Sequence, residues 1–291
     1  MRRSTGQKIF NVFNILFFAV LGSMMILPFI NIIAKSFSSS KALENGGVTF
    51  WPVDFTLVNY HYVLQDTVIW RSFAITVYIT VVGTLINLVM TSLLAYPLSR
   101  DEFVGRRWVL LMVLFTMIFS APLIPTFLLI RDLHLMNTLW VLMIPGAISA
   151  FNFFIMRSFF GEIPKEIIDS SRIDGCGETR LLFSIVAPLS KPVLATMSIF
   201  YAVGHWNTYQ AAIYYINNRA LYPLQVRLRE MIVTDEFKMD ASADVVDLAL
   251  LSSPEGIKMV VIIVATLPII IIYPFMQKHF VKGVMIGSVK A

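Results

Sequence analysis

Six stretches of this chain, residues 9–34, 73–99, 108–130, 138–156, 193–218 and 259–277, contain no Asp, Glu, Lys or Arg. A helix needs about 20 apolar residues to cross a bilayer, and each stretch is near or above that length. Across the chain 57% of residues are hydrophobic and 14% charged, where a soluble domain is nearer a quarter charged. The blocks therefore predict an all-α integral membrane protein with six spans and a single transmembrane domain over residues 1–291. The first block is too long for a signal peptide and lacks a small-residue cleavage site, so it is expected to remain as a helix.

With six spans both termini fall on one side. Basic residues tell which side, because they are retained in the cytoplasm. Fourteen of the 23 Lys and Arg residues lie in the N-terminus, the second loop, the fourth loop and the tail. These segments are predicted to be cytoplasmic, and residues 35–72 and 219–258 external. The formal charge of +5 is thus read as orientation within membrane lipid, not as affinity for nucleic acid. The single cysteine, Cys176, permits neither an intrachain disulfide nor a Cys-based metal cluster. His61, His134 and His279 have no metal-ligand spacing, and no metal site is assigned.

Prolines 28, 97, 122, 125, 145, 268 and 274 interrupt the spans. Each removes a helix hydrogen bond that lipid cannot replace, so neighbouring helices or a water-filled path must satisfy the freed carbonyls. Together they suit helices bent around a path, although proline is also commoner in membrane helices generally.

The fourth loop, residues 157–192, is the most informative. Pro164 suits the first position of a helix and Gly175 its left-handed end, which predicts a helix of about ten residues, too short to span. Ile163, Ile167, Ile168 and Ser171 fall near one face, with Lys165, Asp169 and Arg172 near the other. The segment Arg157 to Lys191 carries five basic and five acidic residues. Mixed charge around a small apolar face fits a groove on another protein better than an anionic lipid surface.

The runs Ile163-Pro164-Lys165-Glu166, Asp169-Ser170-Ser171-Arg172-Ile173-Asp174-Gly175, Phe183 and Pro188-Leu189-Ser190-Lys191-Pro192 resemble the EAA loop of binding-protein-dependent ABC importer permeases. The family's Glu-Ala-Ala stands here as Asp169-Ser170-Ser171, and its Leu-Pro as Ala187-Pro188. His205-Trp206-Asn207 and the ending from Tyr273-Pro274-Phe275 to Gly283 are similar to the carbohydrate-uptake branch. Tyr222-Pro223-Leu224-Gln225 is similar to permeases for complex or acidic polysaccharides. The resemblance implies a six-helix type I importer subunit of the bacterial inner membrane. Its cytoplasmic coupling helix would meet an ATPase through Glu166, Asp169, Ser170, Ser171, Asp174 and Gly175. It further implies a second homologous permease, two ABC ATPase subunits that bind ATP and Mg, an extracytoplasmic solute-binding protein and a carbohydrate substrate, with no cofactor in this chain.

His205, Trp206, Asn207 and Tyr209 cluster in the fifth span. Polar groups there either line a path or bond neighbouring helices, and aromatic faces suit either sugar rings or an interfacial belt. The external stretch 219–258 mixes Arg227, Arg229 and Glu230 with Asp235, Asp240, Asp244 and Asp247; by resemblance it would contact the binding protein, and otherwise it is a solvated loop. No Gly-x-x-x-x-Gly-Lys-Ser/Thr phosphate loop is present, so the chain is not itself the ATPase. Nor does it carry an HExxH pattern or a nucleophile-base constellation for a membrane enzyme. An ion-coupled secondary transporter would be expected to keep ionisable residues within its spans, which these six windows lack.

Overall fold

The computed structural model describes residues 5–233 and 252–288, with side chains of the last helix described to residue 274. Its elements are α1 (Thr5–Ser36), α2 (Ser40–Glu44), α3 (Val58–Gln65), α4 (Thr67–Ser99), α5 (Arg106–Ile118), α6 (Leu123–Asp132), α7 (Ala150–Gly161), α8 (Lys165–Ile173), α9 (Glu178–Leu181), α10 (Ala187–Leu189), α11 (Lys191–Trp206), α12 (Gln210–Tyr215), α13 (Leu224–Val233) and α14 (Pro254–Ser288). No strand occurs among the described residues. Packing divides the chain into two units, Met1–Trp70 with Leu228–Leu267, and Arg71–Arg227 with Pro268–Ala291.

In the first unit α1 is apolar all round, and none of its most hydrophobic 18-residue window is buried. Such a helix is soluble only in lipid or against another subunit. Beyond it Lys35 pairs with Glu255 at 2.6 Å. The buried Asn59 donates to the carbonyls of Ser36 at 3.3 Å and Ser38 at 3.2 Å, satisfying the orphan acceptors at the end of α1. At the start of α4, the Asp66 carboxylate accepts from the amide of Val68 at 2.8 Å. This capping contact lets the helix begin before the apolar block does.

Among the described residues three helices, α1, α4 and the apolar part of α14, are individually long and apolar enough to cross a membrane. The other predicted spans are not single helices. The expected span 108–130 is two, α5 and α6, bent by 116°. Pro122 and Pro125 offer no amide to the carbonyls one turn earlier, and Phe119 goes extended at φ −108° and ψ 111°. The expected span 138–156 is a 3-10 turn at Leu139–Leu142 followed by α7, which starts at Ala150. Pro145 and Gly146 break what would have been one helix. The expected span 193–218 is interrupted after Trp206, where α11 ends, and resumes as the short α12 at Gln210–Tyr215. There Asn207 Nδ2 donates to the Val203 carbonyl at 2.9 Å and Thr208 Oγ1 to that of Gly204 at 3.4 Å, so side chains take up acceptors at the end of the helix.

Unwound backbone inside a bilayer must find partners within the protein. In the second unit α4 and α11 supply them. Asn87 Nδ2 donates to the carbonyls of Gly146 at 2.7 Å and Ala147 at 3.0 Å. The hydroxyl of Tyr201 accepts from the Ser149 amide at 3.2 Å and meets Thr91 Oγ1 at 2.7 Å. The core beside them holds Phe153, Met156, Phe160, Val193 and Met197, all buried.

Candidate functional site: the α8 surface and the α4–α11 contact

Helix α8 starts after Pro164, at φ −53° and ψ 133°, and ends at Ile173, with Asp174 as its cap. Gly175 follows in the left-handed region at φ +79°. Its amide donates to Arg172 O at 3.0 Å and that of Cys176 to Ser171 O at 3.0 Å, the paired bonds of a Schellman stop. Of the predicted apolar face, Ile163 and Ile168 are buried in the core with Leu181 and Leu182. Ile167 is about one third exposed, and Ile173, at the far end, is 86% exposed.

The residues assigned to docking fall into two groups. Glu166, Asp169, Ser170, Asp174 and Gly175 are exposed, and Ser171 is half-buried. Both serine hydroxyls turn back to the Ile167 carbonyl, Ser170 at 3.1 Å and Ser171 at 2.7 Å. They thicken the helix little, as alanines would, while the carboxylates and Ile173 stand outward.

Arg172 does not project freely on the polar face. It reaches Glu102 at 2.8 Å, Glu178 at 3.0 Å and, more distantly, Asp169 at 3.9 Å. Glu178 also accepts from the hydroxyl of Tyr96 at 2.6 Å, and the Arg100 guanidinium lies 5.2 Å from the Tyr96 ring centre. At the other end of α8, Lys165 pairs with Asp101 at 2.9 Å, and Asp101 also holds Arg106. The hydrogen bond from Lys165, then that from Arg106, lowers the Asp101 carboxyl to about 2. The Tyr96 bond, with Arg172 nearby, lowers Glu178 as well. Asp101 and Glu102 were not singled out from the sequence, where their one signal was an acidic pair in an otherwise basic second loop.

The four residues assigned to a path separate. His205 is buried and its Nε2 lies 2.5 Å from Asn87 Oδ1. Because the Asn87 amide hydrogens are spent on Gly146 and Ala147, its oxygen is the acceptor and His205 Nε2 carries the proton. Trp206 is buried and edge-on to Phe73 at 5.9 Å. Tyr209 packs at the rim of the cluster around Ile79, Val141 and Ile216. Only Asn207 of the four is exposed. Asn87, which organises this contact, was not singled out from the sequence, though a lone amide within an apolar block was the available sign.

Asp235, Asp240, Asp244 and Asp247 of the expected external surface lie outside the described residues.

The family described as binding-protein-dependent transport system inner membrane component matches residues 87–286. The chain belongs to this family. The match takes in α8 and the α4–α11 contact together. Among curated relatives, Protein LplC of Bacillus subtilis is 43% identical over 290 residues, covering 100% of this chain and 98% of the relative. The polygalacturonan/rhamnogalacturonan transport system permease protein YtcP of the same organism is 40% identical, covering 98% of this chain and 99% of its own. Among solved structures, a chain of a bacterial ABC transporter involved in the import of the acidic polysaccharide alginate superposes with a TM-score of 0.89. It is 33% identical, over 96% of this chain and 99% of that one. The fold is therefore that of an ABC importer permease.

Proposed function

We propose that this permease is one half of the membrane path of an ATP-driven importer for an oligo- or polysaccharide. The observation that carries the reading is α8: a short helix anchored by Ile163 and Ile168, stopped by Gly175, with Ile173, Glu166, Asp169 and Asp174 facing outward. A surface of that kind fits a cleft in another protein. Glu166, Asp169, Ser170, Ser171, Asp174 and Gly175 are its contacts with an ATPase. In this reading both termini and α8 are cytoplasmic, following the basic residues.

The relatives support the substrate class, since one is named for polygalacturonan and rhamnogalacturonan and one structure for alginate. The working assembly is this chain, a second homologous permease, two ATPase subunits that bind ATP and Mg, and an extracytoplasmic binding protein. Alternating access follows when nucleotide-driven closure displaces α8 and the helices packed on it. Along the path Asn207 is the open residue, while His205 and Trp206 hold helices together.

Reconstitution tests this. The complete complex in liposomes is expected to accumulate a pectin-derived or alginate-type oligosaccharide only with ATP inside and binding protein outside. Accumulation by this chain alone, without an ATPase, would refute it.

A further inference from the structure

Asp101 and Glu102 are neighbours in sequence, yet they hold opposite ends of α8. Asp101 takes Lys165 in the first turn at 2.9 Å, and Glu102 takes Arg172 in the last at 2.8 Å. Seven residues separate the two basic side chains, about 10.5 Å along a helix axis. Between them Ile168 is sunk in the core. Ile163, just before the helix, anchors it on the same side as Ile168, and the two ion pairs at its ends add attachments that fix its orientation about that anchor. The space between α8 and the second loop is not filled by packed side chains. A cleft of about 340 Å³ lies there, lined by Ser99, Arg157, Gly161 and Asp169 beside the Asp101 pair. Another, of about 430 Å³, adjoins the Glu102 pair with Leu93, Pro97 and Phe103 on its walls. Beside these clefts the ion pairs bridge α8 and the second loop.

Both acids follow the end of α4 at Ser99 with only Arg100 between. Tyr96, on the last turn of α4, adds a third attachment through Glu178. Twelve residues back along α4, about 18 Å, Asn87 holds the unwound segment at Gly146 and Ala147 as well as His205 on α11.

We propose that Asp101 and Glu102 are positioning residues that lock α8 to the end of α4, so that displacement of α8 is delivered to the second span and, through Asn87, to the broken fourth span and α11. This rests on the reading of α8 as the helix that meets the ATPase. It adds a route that the two helices flanking α8 in sequence would not supply.

The test uses the whole complex in proteoliposomes and reads ATP hydrolysed per solute imported. Asp101→Asn with Glu102→Gln keeps side-chain shape and removes both charges. Binding-protein-stimulated hydrolysis should persist while the ratio rises, by up to about fivefold, the upper end for exposed ion pairs. Raising salt should worsen the wild-type ratio and leave the variant's unchanged, a response that a merely structural role would not give. In a Cys176→Ser background, Glu102→Cys with Arg172→Cys should show the raised ratio when reduced. A short bis-thiol cross-linker should return it to the wild-type value, which guards against a variant that only assembles poorly. A wild-type ratio in the charge-neutral variant at every salt concentration would overturn the proposal. So would loss of stimulated hydrolysis altogether, or a cross-link that restores nothing. A wild-type complex that shows no ATP-driven uptake would instead overturn the proposed function, which keeps the two failures apart.

Discussion

Gly83 and His205 provide the sharpest test of how α4 and α11 are held together. A methyl group at Gly83 would lie 2.5 Å from His205 Nε2, 2.7 Å from Cε1 and 2.9 Å from Cδ2. The ring cannot swing away freely, because it is buried and its Nε2 is bonded to Asn87, one turn further along α4. Gly83→Ala must therefore displace the imidazole. Overpacking of a filled interior costs about 1–3 kcal/mol. The lost interhelical hydrogen bond adds about 0.6 kcal/mol on average and up to about 1.7 in a membrane bundle. The expected loss is thus ~2–4 kcal/mol, read by unfolding the purified complex in mixed micelles with increasing SDS. His205→Ala should also destabilise, by removing the bond and leaving a void, but the clash then has no partner. The double variant should be less unstable than the sum of the singles by about 1–3 kcal/mol. A Gly83→Ala complex as stable as wild type would refute the reasoning, and so would strict additivity. The same variants bear on the path. If His205 serves packing, His205→Ala should lower stability while the apparent affinity for solute is kept.

A Cβ at Gly175 meets no neighbouring atom, so the main cost of Gly175→Val is the left-handed backbone, ~1–2 kcal/mol or more for a β-branched residue; the complex should still insert, with uptake lost relative to ATP hydrolysis in a paired assay. Ile173→Asp alters a side chain that is 86% exposed and should leave the unfolding midpoint unchanged while weakening co-purification of the ATPase; unchanged co-purification would remove Ile173 from the docking surface. Acid should spare the α8 bracket until far below neutrality. The Asp101 carboxyl, held down to about 2 chiefly by Lys165, contributes above its ordinary range and loses that contribution as pH falls through about 2. Lys165, raised by its bond to Asp101, contributes below its ordinary range and loses that only at strongly alkaline pH. The coupling ratio should therefore be flat from about pH 5 to 9 and respond to salt instead, which a pH series at constant ionic strength checks.

How much was legible beforehand depended on the range of the interaction responsible. The ends of α8 are local chemistry: Pro164 and Gly175 act on their own backbone, so the helix could be read within a residue or two from its sequence. Long apolar blocks likewise announce lipid as the solvent, and the family resemblance rested on contiguous residues. The broken helices were half legible. Pro122, Pro125 and Pro145 were visible as interruptions, but whether a span bends or unwinds depends on what receives the freed backbone groups. At Pro145 that answer came from Asn87, about sixty residues away from the carbonyls it caps.

For the site the division is similar. Hydropathy alone determined that this chain is an all-α membrane protein, and the spacing of Pro164, Ile168, Asp174 and Gly175 determined that it presents a short surface helix. Tertiary structure decided what each polar side chain does. The sequence left His205 with two uses, and its burial against Asn87 favours packing. Arg172 was placed with an open polar face, yet it is spent on Glu102 and Glu178. The Asp101-Glu102 pair had no meaning until folding brought residues some seventy positions apart within hydrogen-bonding distance. Helix ends and solvent preference are set by near neighbours along the chain, whereas the partner of a charged or amide group is chosen by whichever helix packs beside it.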